Sequence, residues 1–498
     1  MTESGLAVSK KLQYGLGGLA GVLVAYGAAS WWAGVGAEKA MQQQLAQIGK
    51  LPYFIVKQSS YQRGWFSAEQ TVELELSDSL TWPYQAYLKF ADKPYTPIRI
   101  KYRNRIQHGP LPLLGSFKLR PLKARVETEL LLSAEAKKAL KPFFGDQPPI
   151  RIENRIAFNN DGDMRIGIPA FDYEEAISGV KVKWNGLQSG LNYAGDYNRY
   201  DVDALLPGIH LDAAGKGTID AGKLSVQTES QRGVAGLMLG KGQAQLASLA
   251  VETSKPSPFK GSLNALQYGY QTNASGDYLN SDVQLGFASL DLSGKRYGPA
   301  DMAFAARHLH APTVAKLEQV LRDIQKQGLS TSDDNGKAFA MFKQNGMPLL
   351  RNDPELELKH LTLRLPEGEV KLKGRLALKG FVDADVDQPL HLLEKISADA
   401  DLKLPKKVVE TYIRLLVRNI LIERSGSQLS DEQVENIDSL AQQLVQGQIA
   451  NLIEQKLIRA EGDVLATTAL WRNGKLTVNN VAVPLPWQKA ATPAVLAE

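Results

Sequence analysis

No cysteine occurs anywhere in the 498 residues of this chain. That excludes a disulfide framework, a thiolate metal site and a cysteine nucleophile. It also suits an oxidising compartment, where a stray thiol would mispair. Excess charge is scarce as well. A net +5 over this length is mild, so no case for nucleic acid as a partner follows. Histidine is limited to positions 108, 210, 308, 310, 360 and 391. His308 and His310 can share a strand face, but no further ligand stands at metal spacing beside them. The chain has no G-x-S-x-G elbow. The Gly-rich stretch "GVAGLMLGKG" carries Ala235 where a phosphate loop needs glycine, and Gly242 where it needs a hydroxyl. The expectation is a chain without catalytic residues, metal site or cofactor.

What is present begins near the start. Leu12 to Ala37 contains no charge and no proline, and Lys10 and Lys11 stand just before it. About 20 apolar residues span a bilayer core. The paired lysines leave the short N-terminus in the cytoplasm and send the remainder outward. Trp31 and Trp32 stand near the outer end, where rings favour the interface. A cleaved signal peptide would have a core of about 7–15 residues, so a retained transmembrane anchor over residues 1–37 is expected. A helical stalk over 38–50 follows, rich in good helix formers. Gly17, Gly21, Ala25, Ala29, Ala33 and Ala37 recur at every fourth position. Such a strip lets two helices approach closely in lipid, and it is the candidate surface for a homodimer.

Beyond the stalk, side chains alternate with period two, the strand signal. Val72, Leu74 and Leu76 alternate with Thr71, Glu73 and Glu75. Ile98, Ile100, Tyr102, Ile106 and His108 share one face of the next such stretch; Arg99, Lys101, Arg103 and Arg105 share the other. That basic face is expected to pair across strands with Glu73 and Glu75. Asn185-Gly186, Pro366-Glu367-Gly368 and Asn473-Gly474 predict hairpin turns. The fold class is α+β, predominantly antiparallel β, with a first β-rich region over 51–300. A second region over 301–498 carries helices at 312–343 and 406–457 and a C-terminal hairpin. The apolar helix faces, such as Val408, Tyr412, Leu416 and Ile420, are expected to pack on the sheets.

Two short motifs stand out. Arg63-Gly64-Trp65-Phe66 precedes a strand: glycine permits a bend, and the two rings are expected to pin the strand start into the core. Arg63 can stack on a ring or pair with an acid. His108-Gly109-Pro110 ends a strand, and Tyr297-Gly298-Pro299 echoes it later. "YQRGWFSA" and "IQHGPLPL", placed after an anchor, resemble signatures of the YdgA-like family of bacterial envelope proteins of unknown function. "KWNGLQSGLNYAGDY", "RYGPADMAF", "LLRNDPELELKHLTLRLPEGEVKLKGRLAL" and "GKLTVNN" resemble its further blocks, in order. The final Asn replaces a Gly of that pattern and alters only a turn. The resemblance implies a single-pass inner-membrane protein with a large periplasmic part, dimeric, and without catalytic residues to carry over.

Two functions are therefore expected. The first is a non-catalytic, membrane-tethered periplasmic protein that binds a hydrophobic ligand, a lipid or a client protein, or acts as an envelope assembly scaffold. The alternative is an envelope hydrolase acting on lipid or cell wall, with His108, His308 or His310 near a serine or carboxylate.

Overall fold

The computed structural model describes residues 4–90, 94–112, 121–254, 257–326, 335–425 and 431–485, and among these the side chains of residues 4–20, 83, 86, 87, 90, 324–326, 335–342, 424–425 and 431–434 lie outside the description. Helix α1, Ser4–Lys50, opens the chain. Strands β1 (Phe54–Arg63) and β2 (Ser67–Leu76) follow, then helix α2 (Asp78–Phe90). Next come β3 (Arg99–His108), β4 (Ala124–Leu130), helix α3 (Ala134–Phe144), β5 (Arg151–Ile156) and β6 (Gly162–Ile168). Strands β7 (Phe171–Glu174), β8 (Lys181–Trp184), β9 (Leu187–Tyr193), β10 (Arg199–Leu206), β11 (Ile209–Asp212), β12 (Gly217–Ala221) and β13 (Leu224–Arg232) continue the chain.

The later elements are β14 (Met238–Thr253), β15 (Phe259–Ser275), β16 (Tyr278–Phe287), β17 (Ser289–Leu292), β18 (Lys295–Tyr297) and β19 (Ala300–His310). Helices α4 (Ala311–Lys326) and α5 (Asn335–Leu350) lead to β20 (Glu355–Leu365) and β21 (Gly368–Leu378). Then come α6 (Pro389–Lys395), β22 (Ile396–Pro405), α7 (Lys406–Ser425) and α8 (Asp431–Glu454). Strands β23 (Arg459–Glu461), β24 (Val464–Arg472), β25 (Lys475–Val478) and β26 (Val481–Val483) end the described chain. The mainly antiparallel β architecture with helices is as expected. Helices α2, α3 and α6 were not foreseen. For α3 a signal existed: the Ser133 hydroxyl accepts from the Ala136 N–H at 3.1 Å and caps a run of good helix formers.

The chain forms two compact units. The first holds residues 1–210, 224–232 and 318–338; the second holds the rest. The sequence reading placed its division at 300. In the first unit, β1 to β6 form an antiparallel meander, and β9, β10 and β13 extend it from β6. One face is apolar, and α1 crosses it: Ala37, Ala40 and Met41 are buried with Ala68, Ile106, Val126 and Ile156. The opposite face carries charge ladders. Arg99 meets Glu75 at 3.1 Å, Arg103 meets Glu69 at 3.4 Å and Arg105 meets Glu129 at 2.7 Å. Arg99 meets the expected Glu73 and Glu75, whereas Arg103 and Arg105 find other cross-strand acids, Glu69 and Glu129.

In the second unit a longer meander runs β14, β15, β16, β19, β20, β21, β22, β24, β25, β26, all antiparallel. The turns at Pro366-Glu367 and Asn473-Gly474 form as predicted. The turn between β25 and β26 places Asn480 at φ 66°, a left-handed conformation that asparagine and glycine both accept. Helices α7 and α8 pack Val409, Val417, Val445 and Ile449 against Leu465 of β24.

The hairpin expected at Asn185-Gly186 does not form. Strand β8 pairs with β7, and both edges of β9 are taken, one by β6 and one by β10. A strand with two occupied edges cannot fold back on its predecessor.

Among the described residues, no helix is long and apolar enough to cross a membrane. The side chains of Leu12 to Ala20 lie outside the described set. The predicted stalk does not stand free: it is the part of α1 that roofs the first unit's core.

Candidate functional site: the helix clamp and the groove beneath it

Both short motifs converge on α1. Arg63 closes β1, and Gly64 N–H donates to Ser67 O at 2.8 Å, so Gly64-Trp65-Phe66 is the tip of the β1–β2 hairpin. The Arg63 guanidinium donates to Glu38 of α1 at 2.8 Å and lies 4.5 Å from the Trp31 ring centroid. The Trp65 ring is 5.1 Å from Trp31, and Phe66 stacks on Tyr26 at 6.1 Å. Trp65 and Phe66 remain 63% and 54% exposed. They are not the core anchors expected, because a hairpin tip has no sheet behind it. Their contacts are to the helix instead. Behind Arg63, burial first and then Glu38 push the Tyr61 phenol up to about 12.

The second motif grips the same helix one turn away. His108 N–H donates to Phe66 O at 3.0 Å, which joins the two motifs. The His108 ring is 2% exposed, and Nδ1 lies 3.0 Å from Ser30 O. A carbonyl only accepts, so Nδ1 carries the proton. Gly34 faces the ring: a Cβ there would stand 2.6 Å from His108 Cε1. Gly109 has φ 133°, and a Cβ there would stand 2.7 Å from Ser30 Oγ. Pro110 follows directly, and the Tyr26 hydroxyl reaches Leu111 O at 3.5 Å.

This arrangement also uses part of the small-residue strip. Ala33 and Ala37 are fully buried against the chain's own sheet. Ala29 is half-buried, Gly21 and Ala25 are exposed, and Gly17 lies outside the side chains described.

Towards the C-terminal end of α1, a cavity of about 720 Å³ lies between the helix and the sheet. Met41, Gln44, Leu45 and Ile48 form the roof; Leu74, Ile100, Val126, Ile152 and Ile166 point up from β2 to β6. Its volume is that of a small-molecule site, about 300–1,000 Å³. A ladder of polar side chains crosses the floor. Asn104 donates to Gln70 at 2.8 Å and accepts from Thr128 at 2.7 Å; Asn154 donates to the Tyr193 hydroxyl at 2.9 Å. Satisfied in this way, the polar groups add no unpaired donor to an apolar space. Burial pushes the Tyr102 phenol, which lines the cavity, up to about 12, so it stays neutral. Arg99 and Lys101 border the space along β3, but their side chains belong to the opposite, charged face. The sequence announced the apolar face but not the gap, which depends on where the helix axis crosses the sheet.

His308 and His310 are occupied elsewhere. His308 Nδ1 meets Asn352 O at 2.6 Å, and its ring stacks on Tyr278 at 3.8 Å. His310 Nδ1 meets the Thr313 hydroxyl at 2.7 Å. Both belong to the second unit, whereas His108 belongs to the first. Among the described residues no cluster of three or more His, Asp or Glu side chains could hold a metal ion.

The chain belongs to the bacterial family described as "Bacterial protein of unknown function (DUF945)", whose pattern matches residues 9–486. It is 20% identical to Protein YdgA of Escherichia coli (strain K12), over 93% of this chain and 94% of that protein. No solved structure matches it.

Proposed function

We propose that this protein is a non-catalytic component of the bacterial envelope, tethered to the inner membrane through α1, with its sheets in the periplasm. In this reading it holds an acyl chain or a similar hydrophobic ligand in the groove under α1. The cavity of about 720 Å³ between Met41, Leu45 and Ile48 and the apolar sheet face carries the reading. An elongated apolar guest would replace water against these side chains, at about 25 cal/mol per Å² of surface removed from water.

The test is native mass spectrometry of the full-length protein after gentle detergent extraction. Wild type should carry a stoichiometric lipid. Ile152→Trp fills the groove from β5 and should release that lipid while the protein stays folded by circular dichroism. Wild type with nothing bound, and no uptake of a fluorescent fatty acid, would end the proposal.

A homodimer has its own support. The outer face of α7 leaves Tyr412, Ile413, Leu416 and Ile420 exposed, although Val408 of the same stripe is buried. A dimer or an envelope client protein covering that face would remove it from water. Mass photometry of wild type against Leu416→Glu separates the cases. Loss of the dimer in the variant supports the face, and an unchanged dimer excludes it. The hydrolase alternative finds no support in the histidines, whose Nδ1 atoms at 108, 308 and 310 are engaged by neighbours within their own units.

A further inference from the structure

We infer that the aromatic rings around the clamp form a collar that seats the first unit in the headgroup layer of the membrane. The inference rests on the anchor reading above and adds the surface of the folded sheet that touches lipid. Three observations carry it. The first is where α1 leaves the sheet. Residues 21–25 are all exposed, with Val22, Leu23 and Val24 among them, and among the described side chains the first ring contact with the sheet is that of Tyr26. The second is the set of rings at that level. Trp31 and Trp32 of α1 meet Trp65 of the β1–β2 tip and Phe158 of the β5–β6 turn, at 5.1 Å and 6.4 Å between ring centres. All four rings stay substantially exposed, as does Phe66. Two strand connections far apart in sequence thus place large rings beside the same helical turn, on the side from which the uncharged run departs.

The third is length. Residues 12–25, which precede the first described sheet contact, cover 13 helical steps, about 20 Å at 1.5 Å per residue, so a hydrocarbon core of about 30 Å extends on to the level of Trp31. Trp31 and Trp32 then fall where the core gives way to headgroups, and Phe66, which stacks on Tyr26, dips just below that level. Trp and Phe rings on the two connections then share that depth. Aromatic rings with one polar edge favour this layer, and rings fixed by a sheet lose little freedom on entering it. A soluble partner protein would equally cover an apolar patch. A bilayer also accounts for the rings lying beside the point where an uncharged helix leaves the sheet.

The absence of cysteine makes the test clean. Single cysteines placed by Leu23→Cys, Trp65→Cys, Phe158→Cys and Ile177→Cys in the full-length protein are labelled with nitrobenzoxadiazole. Ile177 is 95% exposed and serves as the water reference. The protein is reconstituted in vesicles of phosphatidylethanolamine and phosphatidylglycerol, with spin-labelled lipid quenchers at the headgroup or deep in the chain. The collar predicts quenching of the label at 23 by the deep probe, of those at 65 and 158 by the shallow probe, and of the one at 177 by neither. If the label at 23 is quenched while those at 65 and 158 match 177, the anchor stands and the collar is refuted. If the label at 23 also stays in water, the anchor reading falls and the collar falls with it.

Discussion

Gly34→Ala tests the clamp through the sign of its effect. In an exposed helix interior, replacing glycine by alanine stabilises by about 0.5–1 kcal/mol, because the unfolded chain loses freedom. Here the new methyl would stand 2.6 Å from His108 Cε1 and 2.9 Å from Nδ1. The ring cannot swing aside, because it is buried and its Nδ1 is held by Ser30 O at 3.0 Å. Forcing a methyl into a packed site costs about 1–3 kcal/mol. The net expectation is a loss of about 1–2 kcal/mol, reached by setting that cost against the helix gain. Guanidinium unfolding of the detergent-solubilised protein, followed by tryptophan fluorescence, reads it out, since Trp31, Trp32 and Trp65 all lie at the clamp. Gly27→Ala, where nothing stands within 4 Å, is the control and should be neutral or stabilising. In the double variant with His108→Ala, the cost of Gly34→Ala should vanish, a coupling of at least about 1 kcal/mol. A stabilising Gly34→Ala, or two additive effects, would refute the docking of α1 on His108.

Arg63→Lys keeps the charge near Glu38 but loses the planar stack on Trp31; it should cost about 0.5–1 kcal/mol in the same assay, with Arg63→Ala costing more. Asp282 accepts from Arg307 and Lys359, each at 2.6 Å, which lowers its carboxyl from the ordinary 3.8 to about 2. Its contribution is present above the unfolded value and lost as pH falls through the folded one. Wild-type melting temperature should therefore drop between about pH 4 and pH 2 by more than that of Asp282→Asn; equal slopes would show the pairing to be inert. Asn480→Gly should change stability by less than about 0.5 kcal/mol, whereas Asn480→Val should cost about 1–2 kcal/mol at its left-handed φ, as measured by thermal melts.

The legible parts of the fold are those written in neighbouring residues. Period-two alternation located β2, β3, β20 and β21, because one face of each strand is apolar and the other wet. The charges of Arg99, Arg103 and Arg105 announced partners on adjacent strands, and they have them. Asn473-Gly474 made its hairpin. Asn185-Gly186 did not, although its local signal is as strong, because β6 and β10 occupy both edges of β9. Edge occupancy is a property of the assembled sheet. For the same reason the α7 stripe read as uniformly core, whereas the sheet covers only one side of it.

The sequence by itself determined the family, the antiparallel β character, the uncharged run and the two motifs that matter. Tertiary structure alone decided what those motifs are for. Ser30 and His108 meet across 78 positions, and Arg63 meets Glu38 across 25. Such contacts form only after α1 has been laid across the meander. Gly34, Gly109, Ala33 and Ala37 look like ordinary small residues of a membrane helix or a turn until the sheet arrives within a methyl's reach of them. The groove is the complement of that contact. Beneath Ala37, Ala40 and Met41 the core closes, and beneath Leu45 and Ile48 a space remains.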